Sequence, residues 1–401
     1  MDNQTIKARK ATKAFFLVCG LGISSWAPMV PLAKDRLGLN DADLGLLLLL
    51  LGGGAIVMMP ICGVLSHRYG TRIIMIISAI VMAICLPFLL LISSIPVMAI
   101  TLFIFGCAVG TVDVAMNSHG VQVQNSSGRP IMSSLHGLFS VGGLFGALGL
   151  GFLIKLGLNP IAAAICIAVL LIVIVSINYG ALFSSKREKE LIQEYSHAAP
   201  EEKKTNISWL KGSVIFLGLM CFAVFLSEGA MLDWSAIFLH ENRGLNAEFA
   251  GLGYAAFSVA MATMRLLGDK IVSKLSSVTI VFGGSLIAAA GLFLAVLSPW
   301  TSTALIGFIF VGIGTANIVP VFFSEGGRLR NIPATVAIPA ISTMGYAGQL
   351  AGPAMLGFLA FHFSLPMALT VCAVLLLMVG IAYGLKNKGK AVVNDPHNPA
   401  I

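Results

Sequence analysis

Three carboxylates stand inside long apolar stretches of the chain: Asp113, Glu228 and Asp233. A charge at bilayer depth is costly, so each marks a functional position by default. Asp113 is followed one helical turn later by Asn117, on the same face by i, i+4 spacing. A carboxylic acid there suits reversible protonation coupled to solute binding; a structural Asp hydrogen-bonded to neighbouring helices is the alternative. Glu228, followed by Gly229, is the second candidate for the proton or for a ligand to a polar solute, against a glutamate that caps a helix break. Asp233 comes five residues later, about 140° around a regular helix, and suits a gating contact or a hydrogen-bond anchor more than direct solute contact; Trp234 beside it reads as an interfacial anchor or outer-gate aromatic.

Other polar side chains in apolar surroundings complete the candidate set. Asn317 has Pro320 three residues on, which loosens the helix around it. Ser133, His136 and Ser140 fall at i, i+3 and i+7, a polar stripe in which His136 is either a titrating solute contact or a packing histidine. Trp26 and Gln349 are further candidates for solute contact. His119 points away from the Asp113 face. Arg265 lies within a turn of a loop, so snorkelling or a salt bridge with Asp269 is expected. The remaining residues offer acids and amides rather than buried bases, which favours a neutral or weakly cationic solute over an anion.

The elements that position these residues follow from composition. Only 10% of the 401 residues are charged and 57% are hydrophobic, against roughly 25% charged in a soluble domain. Lipid can solvate such a surface and water cannot. Twelve apolar stretches of about 20 residues or more are expected at 12–33, 42–65, 72–92, 96–123, 131–155, 160–183, 211–239, 247–268, 276–297, 302–323, 333–360 and 365–385. The first carries Trp26, Pro28 and Pro31 and reads as a span rather than a signal peptide. A charged segment at 184–210 separates an N-terminal six-helix bundle (1–183) from a C-terminal one with a short tail (211–401). With the N-terminus inside, 21 Lys and Arg fall on inner segments and four, Lys34, Arg36, Lys155 and Arg243, on outer ones. That asymmetry places both termini in the cytoplasm and accounts for the net charge of +8 without nucleic acid. The seven cysteines lack metal-ligand spacing and are expected to be free thiols.

The halves echo each other, as transporter repeats do. Gly110-Thr111 and Gly314-Thr315 align at an offset of 204, which sets Asp113 over Asn317. Gly142-x-x-x-Gly146 and Gly348-x-x-x-Gly352 align at 206. The segment Gly63-Val64-Leu65-Ser66-His67-Arg68-Tyr69-Gly70-Thr71-Arg72 resembles the inner-loop signature of the major facilitator superfamily, with His67 where that family has Asp. Arg265-Leu266-Leu267-Gly268-Asp269-Lys270 is similar to its second-half copy. Asp113-Val114-Ala115-Met116-Asn117 resembles the acidic-x-Ala-x-Asn pattern of the fucose-permease-like branch, and Glu228-Gly229-x-x-x-Asp233-Trp234 that of poorly characterised bacterial members.

The resemblance implies an all-α membrane protein with twelve transmembrane helices in two pseudo-symmetric bundles. It makes Arg68, Arg72, Arg265 and Asp269 gating residues. It implies a monomeric secondary transporter in a bacterial inner membrane, working by alternating access and in contact with protons, a small-molecule substrate and lipid. The absence of a proline after Gly146 tilts the expectation toward symport of a sugar-like solute over efflux by antiport. A proton-independent facilitator and a sensor on a transporter scaffold stay open. The sequence contains no P-loop and no hydrolase or metal motif, so no cofactor and no enzyme activity is expected.

Overall fold

The computed structural model describes residues 3–26, 28–39, 41–196, 211–245, 252–329 and 332–387. Part of the charged segment (197–210) and the end of the tail (388–401) lie outside the described residues. The chain is all-helical: α1 (Asn3–Ser24), α2 (Met29–Leu37), α3 (Asp41–Tyr69), α4 (Thr71–Leu91), α5 (Ile95–Ser127), α6 (Met132–Lys155), α7 (Pro160–Asn178), α8 (Ser185–Ser196), α9 (Gly212–Ile237), α10 (Leu252–Val272), α11 (Ser277–Leu297), α12 (Thr301–Thr315), α13 (Ile318–Gly326), α14 (Ala334–His362) and α15 (Leu365–Lys386). Among the described residues nine spans are long and apolar enough to cross a membrane, with α12 and α13 counted as one. Helices α1, α10 and α14, of 22, 21 and 29 residues, complete the twelve.

Two expected spans are broken. The first ends at Ser24, turns through Trp26, and restarts as α2. The tenth breaks at Ala316 and Asn317, between α12 and α13. Pro320 explains the second break: it has no N–H for the carbonyl four residues back, at Ala316. Helix α9, by contrast, runs unbroken through Glu228 and Gly229 and departs from α geometry only in a π-helical turn at Phe238–Asn242.

The residues gather into two compact units. The first is Met1–Ile131, Leu135–Val214 and Gly326–Thr343; the second is Met132–Ser134, Ile215–Glu325 and Met344–Ile401. In the first, α3 and α4 pack on α5, and α4 also on α7; in the second, α10 and α11 pack on α12, and α11 also on α15. Close approach at glycine sets the register of this repeat. A methyl group at Gly106 would overlap the carbonyl of Leu51, and one at Gly312 that of Phe257. Both pairs are offset by 206. The GxxxG steps are close approaches too, Gly142 seated on Leu17 and Gly348 on Phe222, the glycines offset by 206 and their partners by 205. The offset of 204 is therefore corrected: Asp113 corresponds to Val319, and Asn317 to Thr111.

The outer ends repeat too. Arg36 donates to the carbonyls of Leu89 (2.8 Å), Leu90 (2.5 Å) and Ile92 (3.0 Å) at the end of α4. Arg243 donates to Ala295 (2.6 Å) and Val296 (2.9 Å) at the end of α11. The last carbonyls of a helix have no partner within it and carry partial negative charge. A guanidinium fork satisfies several at once. Two of the four cations expected on the outer side are thus helix caps, and burial draws both guanidinium groups down from the ordinary arginine pKa.

Candidate functional site

In the first unit Asp113 is 6% exposed on α5, and Asn117 is fully buried. The Asn117 amide donates to the Asp113 carboxylate at 3.3 Å and to its backbone carbonyl at 2.9 Å, as the i, i+4 spacing predicts. That leaves the buried Oδ1 of Asn117 without a partner among the described residues. Trp26 sits in the turn after α1, buried, its indole N–H equally unpartnered. His136 is buried on α6 with its ring edge-on to Phe16 at 5.3 Å, and its carbonyl accepts from Ser140.

In the second unit the ionic centre differs from the expected one. Arg265 is 7% exposed rather than snorkelling toward the loop, and its guanidinium reaches both carboxylate oxygens of Glu228 at 3.4 Å. Its Nε donates to the Ala316 carbonyl at 3.2 Å, the group that Pro320 leaves without an intrahelical donor. A buried charge needs such pairing, so the proline and the arginine form one arrangement. The expectation that the chain offers no buried base is overturned by this residue. Asp269 accepts a hydrogen bond from the Ser134 N–H at 2.9 Å, in the first turn of α6, where a carboxylate is favoured. Asn317 donates weakly to the Met264 carbonyl (3.4 Å) and leaves its Oδ1 buried and unpartnered. Gln349 lies across Gly229, where a methyl group would stand 3.7 Å from its Cγ. Asp233 is exposed, while the Trp234 indole N–H is buried without a partner. Glu228, Arg265 and Asn317 therefore converge on the broken α12–α13 helix; Asp233 stays apart from them on the α9 surface. Arg68 and Arg72 stack on Tyr69 (5.3 Å) and Tyr179 (5.1 Å).

Sequence reasoning missed one cluster. Helix α4 opens at Gly70, whose φ of 88° and lack of a side chain give it no cap of its own. The cap comes from Glu188 on α8: its carboxylate accepts from the Thr71 N–H at 2.9 Å and from the Thr71 hydroxyl, and meets His119 Nδ1 at 3.1 Å. The Phe183 N–H points at His119 Nε2 at 3.5 Å. Nε2 is then the acceptor, and Nδ1 carries the proton toward Glu188. Ser185 adds a bond to the Tyr69 carbonyl at 2.7 Å. At the offset of 206, Ser277 and Glu325 answer Thr71 and His119, and Glu325 accepts from the Tyr383 hydroxyl.

Comparison with known proteins now decides the family. The profile of the Major Facilitator Superfamily matches residues 14–325. The chain belongs to the major facilitator superfamily. An uncharacterized MFS-type transporter of Yersinia pestis is 44% identical over 374 residues, covering 93% of this chain and 94% of that one. An uncharacterized transporter of Sinorhizobium fredii is 34% identical, over 88% and 90% of the two chains. The crystal structure of the E. coli fucose:proton symporter FucP superposes with a TM-score of 0.74 at 14% identity, over 96% of this chain and 99% of that one. These findings make this member of the superfamily a multi-pass membrane transporter with the twelve-helix, two-bundle fold.

Proposed function

We propose that this chain is a proton-coupled symporter that carries a small polar solute by alternating access, in a bacterial cytoplasmic membrane, with both termini cytoplasmic. The observation that carries the reading is the ion pair between Glu228 and the buried Arg265, beside the break between α12 and α13. While Glu228 is ionised, it holds Arg265 at 3.4 Å. A proton on Glu228 removes the negative partner and leaves Arg265 on the Ala316 carbonyl, available to a polar group of the solute. Neutralising one member of a low-dielectric pair changes the balance of the helices that carry it, which is how proton and solute binding become linked. Asp113, with Asn117 on its carboxylate, is the second proton site. Within the first unit the Asn117 Oδ1 and the Trp26 indole N–H, unpartnered among the described residues, supply neutral hydrogen-bonding capacity of both signs, which suits a hydroxyl- or amide-bearing solute. Proteoliposomes with an imposed pH gradient test this. Glu228→Gln and Asp113→Asn are expected to abolish uphill accumulation while leaving downhill exchange measurable. Accumulation undiminished in both variants would refute proton coupling through these residues.

A further inference from the structure

We propose that the groove between α3, α4 and α5 holds one acyl chain of an anionic phospholipid, with the phosphate on Arg68 and Arg72. The cavity measures about 490 Å³. It runs from Met58 to Tyr69 on α3, from Ile73 to Val81 on α4, and from Phe103 to Thr111 on α5. At 1.5 Å per residue the α3 wall is about 16 Å long and the α4 wall about 12 Å, close to the roughly 15 Å hydrocarbon depth of one leaflet.

The walls are apolar by construction. Two of the hydroxyls that line them, those of Ser78 and Thr111, are turned to carbonyls of their own helices at 2.7 and 2.6 Å, and the third belongs to Tyr69 at the exposed end. Between its ends the groove is walled by hydrocarbon, and its rim is open: Tyr69, Ile73, Ile77 and Ile104 are all exposed. A polar solute gains nothing there, and a hydrocarbon chain does.

The charged end decides the head group. Tyr69 closes one end of the groove, with the Arg68 guanidinium stacked on its ring. Arg72 opens α4 just below Ile73, stacked on Tyr179. Neither arginine has a carboxylate partner among the described residues. The nearby acid, Glu188, is buried and taken up by Thr71 and His119. Two uncompensated guanidinium groups at the mouth of an apolar slot of one-leaflet depth complement a phosphodiester above a fatty chain. The orientation proposed above puts this end at the cytoplasmic leaflet.

The test uses the full-length protein in detergent, where membrane orientation plays no part, so its failure leaves the transport reading untouched. Retention of phosphatidylglycerol and of phosphatidylethanolamine with matched chains is measured by native mass spectrometry. Phosphatidylglycerol is expected to be preferred. Each arginine near the surface is worth about fivefold, so Arg68→Gln/Arg72→Gln is expected to lose about 30-fold of that preference. Ile104→Trp, which crowds the groove from its exposed rim, is expected to weaken both lipids. Lys186→Gln/Lys189→Gln on α8 is expected to change little. Equal retention of the two lipids by the wild-type protein would overturn the proposal. So would a loss in the Lys186/Lys189 variant as large as in the arginine variant, because that marks diffuse basic attraction. The wild-type comparison and the single arginine variants decide the matter even where the double variant does not fold.

Discussion

Removing the Glu188 carboxylate should loosen the start of α4 and free α8, by an amount that can be worked out. Glu188→Ala deletes the only side-chain cap on the Thr71 N–H among the described residues, since Gly70 provides none. Loss of an N-cap costs about 1 kcal/mol. It also takes the acceptor from two buried donors, the Thr71 hydroxyl and His119 Nδ1–H. These stand 2.9 Å apart and can satisfy one another, so only one orphaned group is counted, at about 1–3 kcal/mol. The total is about 2–4 kcal/mol. Glu188→Gln keeps the shape and one acceptor oxygen, loses the charge opposite the helix N-terminus, and should cost about half as much. Hydrogen exchange of the 185–196 segment and melting in detergent read the two effects separately. Exchange should accelerate first in α8, because Glu188 ties it to α4 and α5, while Ser185 holds only the last carbonyl of α3. A double-mutant cycle with His119→Ala should be markedly non-additive. Equal melting and equal exchange for wild type and Glu188→Ala, or strict additivity in the cycle, would refute the assignment of Glu188 as the cap of α4.

Other predictions concern the outer caps and the broken helix. Arg36→Lys and Arg243→Lys keep the charge but not the fork, so each should lower the melting temperature; Arg36→Ala should cost more than either, about 2–3 kcal/mol, given three carbonyls at 2.5–3.0 Å and partial exposure. Equal melting of Arg36→Lys and wild type would show that charge alone suffices. Pro320→Ala returns an N–H to the Ala316 carbonyl and so competes with the Arg265 Nε. Hydrogen exchange through 312–324 should slow and uphill transport should fall; unchanged exchange would mean that Pro320 does not maintain the break.

What was legible in the sequence was whatever depends on one helix at a time. Apolar length marks the twelve spans, and i, i+4 spacing puts Asn117 on Asp113. The repeat was visible but two residues out of register, because a Gly-Thr dipeptide is short enough to recur by chance. The better signal lay in two loops, where Gly38-Leu39-Asn40 returns as Gly244-Leu245-Asn246 at 206, with an arginine two residues before the first glycine and one before the second. Both glycines hold positive φ, 61° and 67°, so the turn was duplicated along with the cap. Arg36 and Arg243 counted as exceptions to the charge rule only because a helix terminus as an acceptor is a tertiary fact. The burial of Arg265 was missed for a related reason. Its nearest acid in sequence is Asp269, but the orphaned carbonyl at Ala316 and the Glu228 carboxylate lie on other helices.

The inner ends show why a repeat alone does not predict a site. Thr71 and Ser277 hold one position of the duplicated frame, and His119 and Glu325 hold another. In the second half the acid belongs to the frame itself and bonds to Tyr383 on the last helix. In the first half that position is histidine, a neutral donor, so the acid has to come from outside the six-helix frame, and Glu188 on α8 brings it. The cap on the next helix differs in the same sense: Ser276 caps α11 through the Thr279 N–H, whereas Gly70 leaves α4 to Glu188. One half closes its inner end with its own residues; the other borrows a residue from the segment that follows it. That segment reads in the sequence as a solvated charge run, since nothing local distinguishes Glu188 from Glu190. Only Glu188 is buried (3%), while Glu190 faces Arg187 at the surface. A chain ending before α8 therefore lacks the carboxylate that completes α4, and one extended through Ser196 retains it. Co-expression of the two pieces should recover a stable N-terminal half only for the longer version, and equal recovery of both would place the stability of that half in its six spans alone.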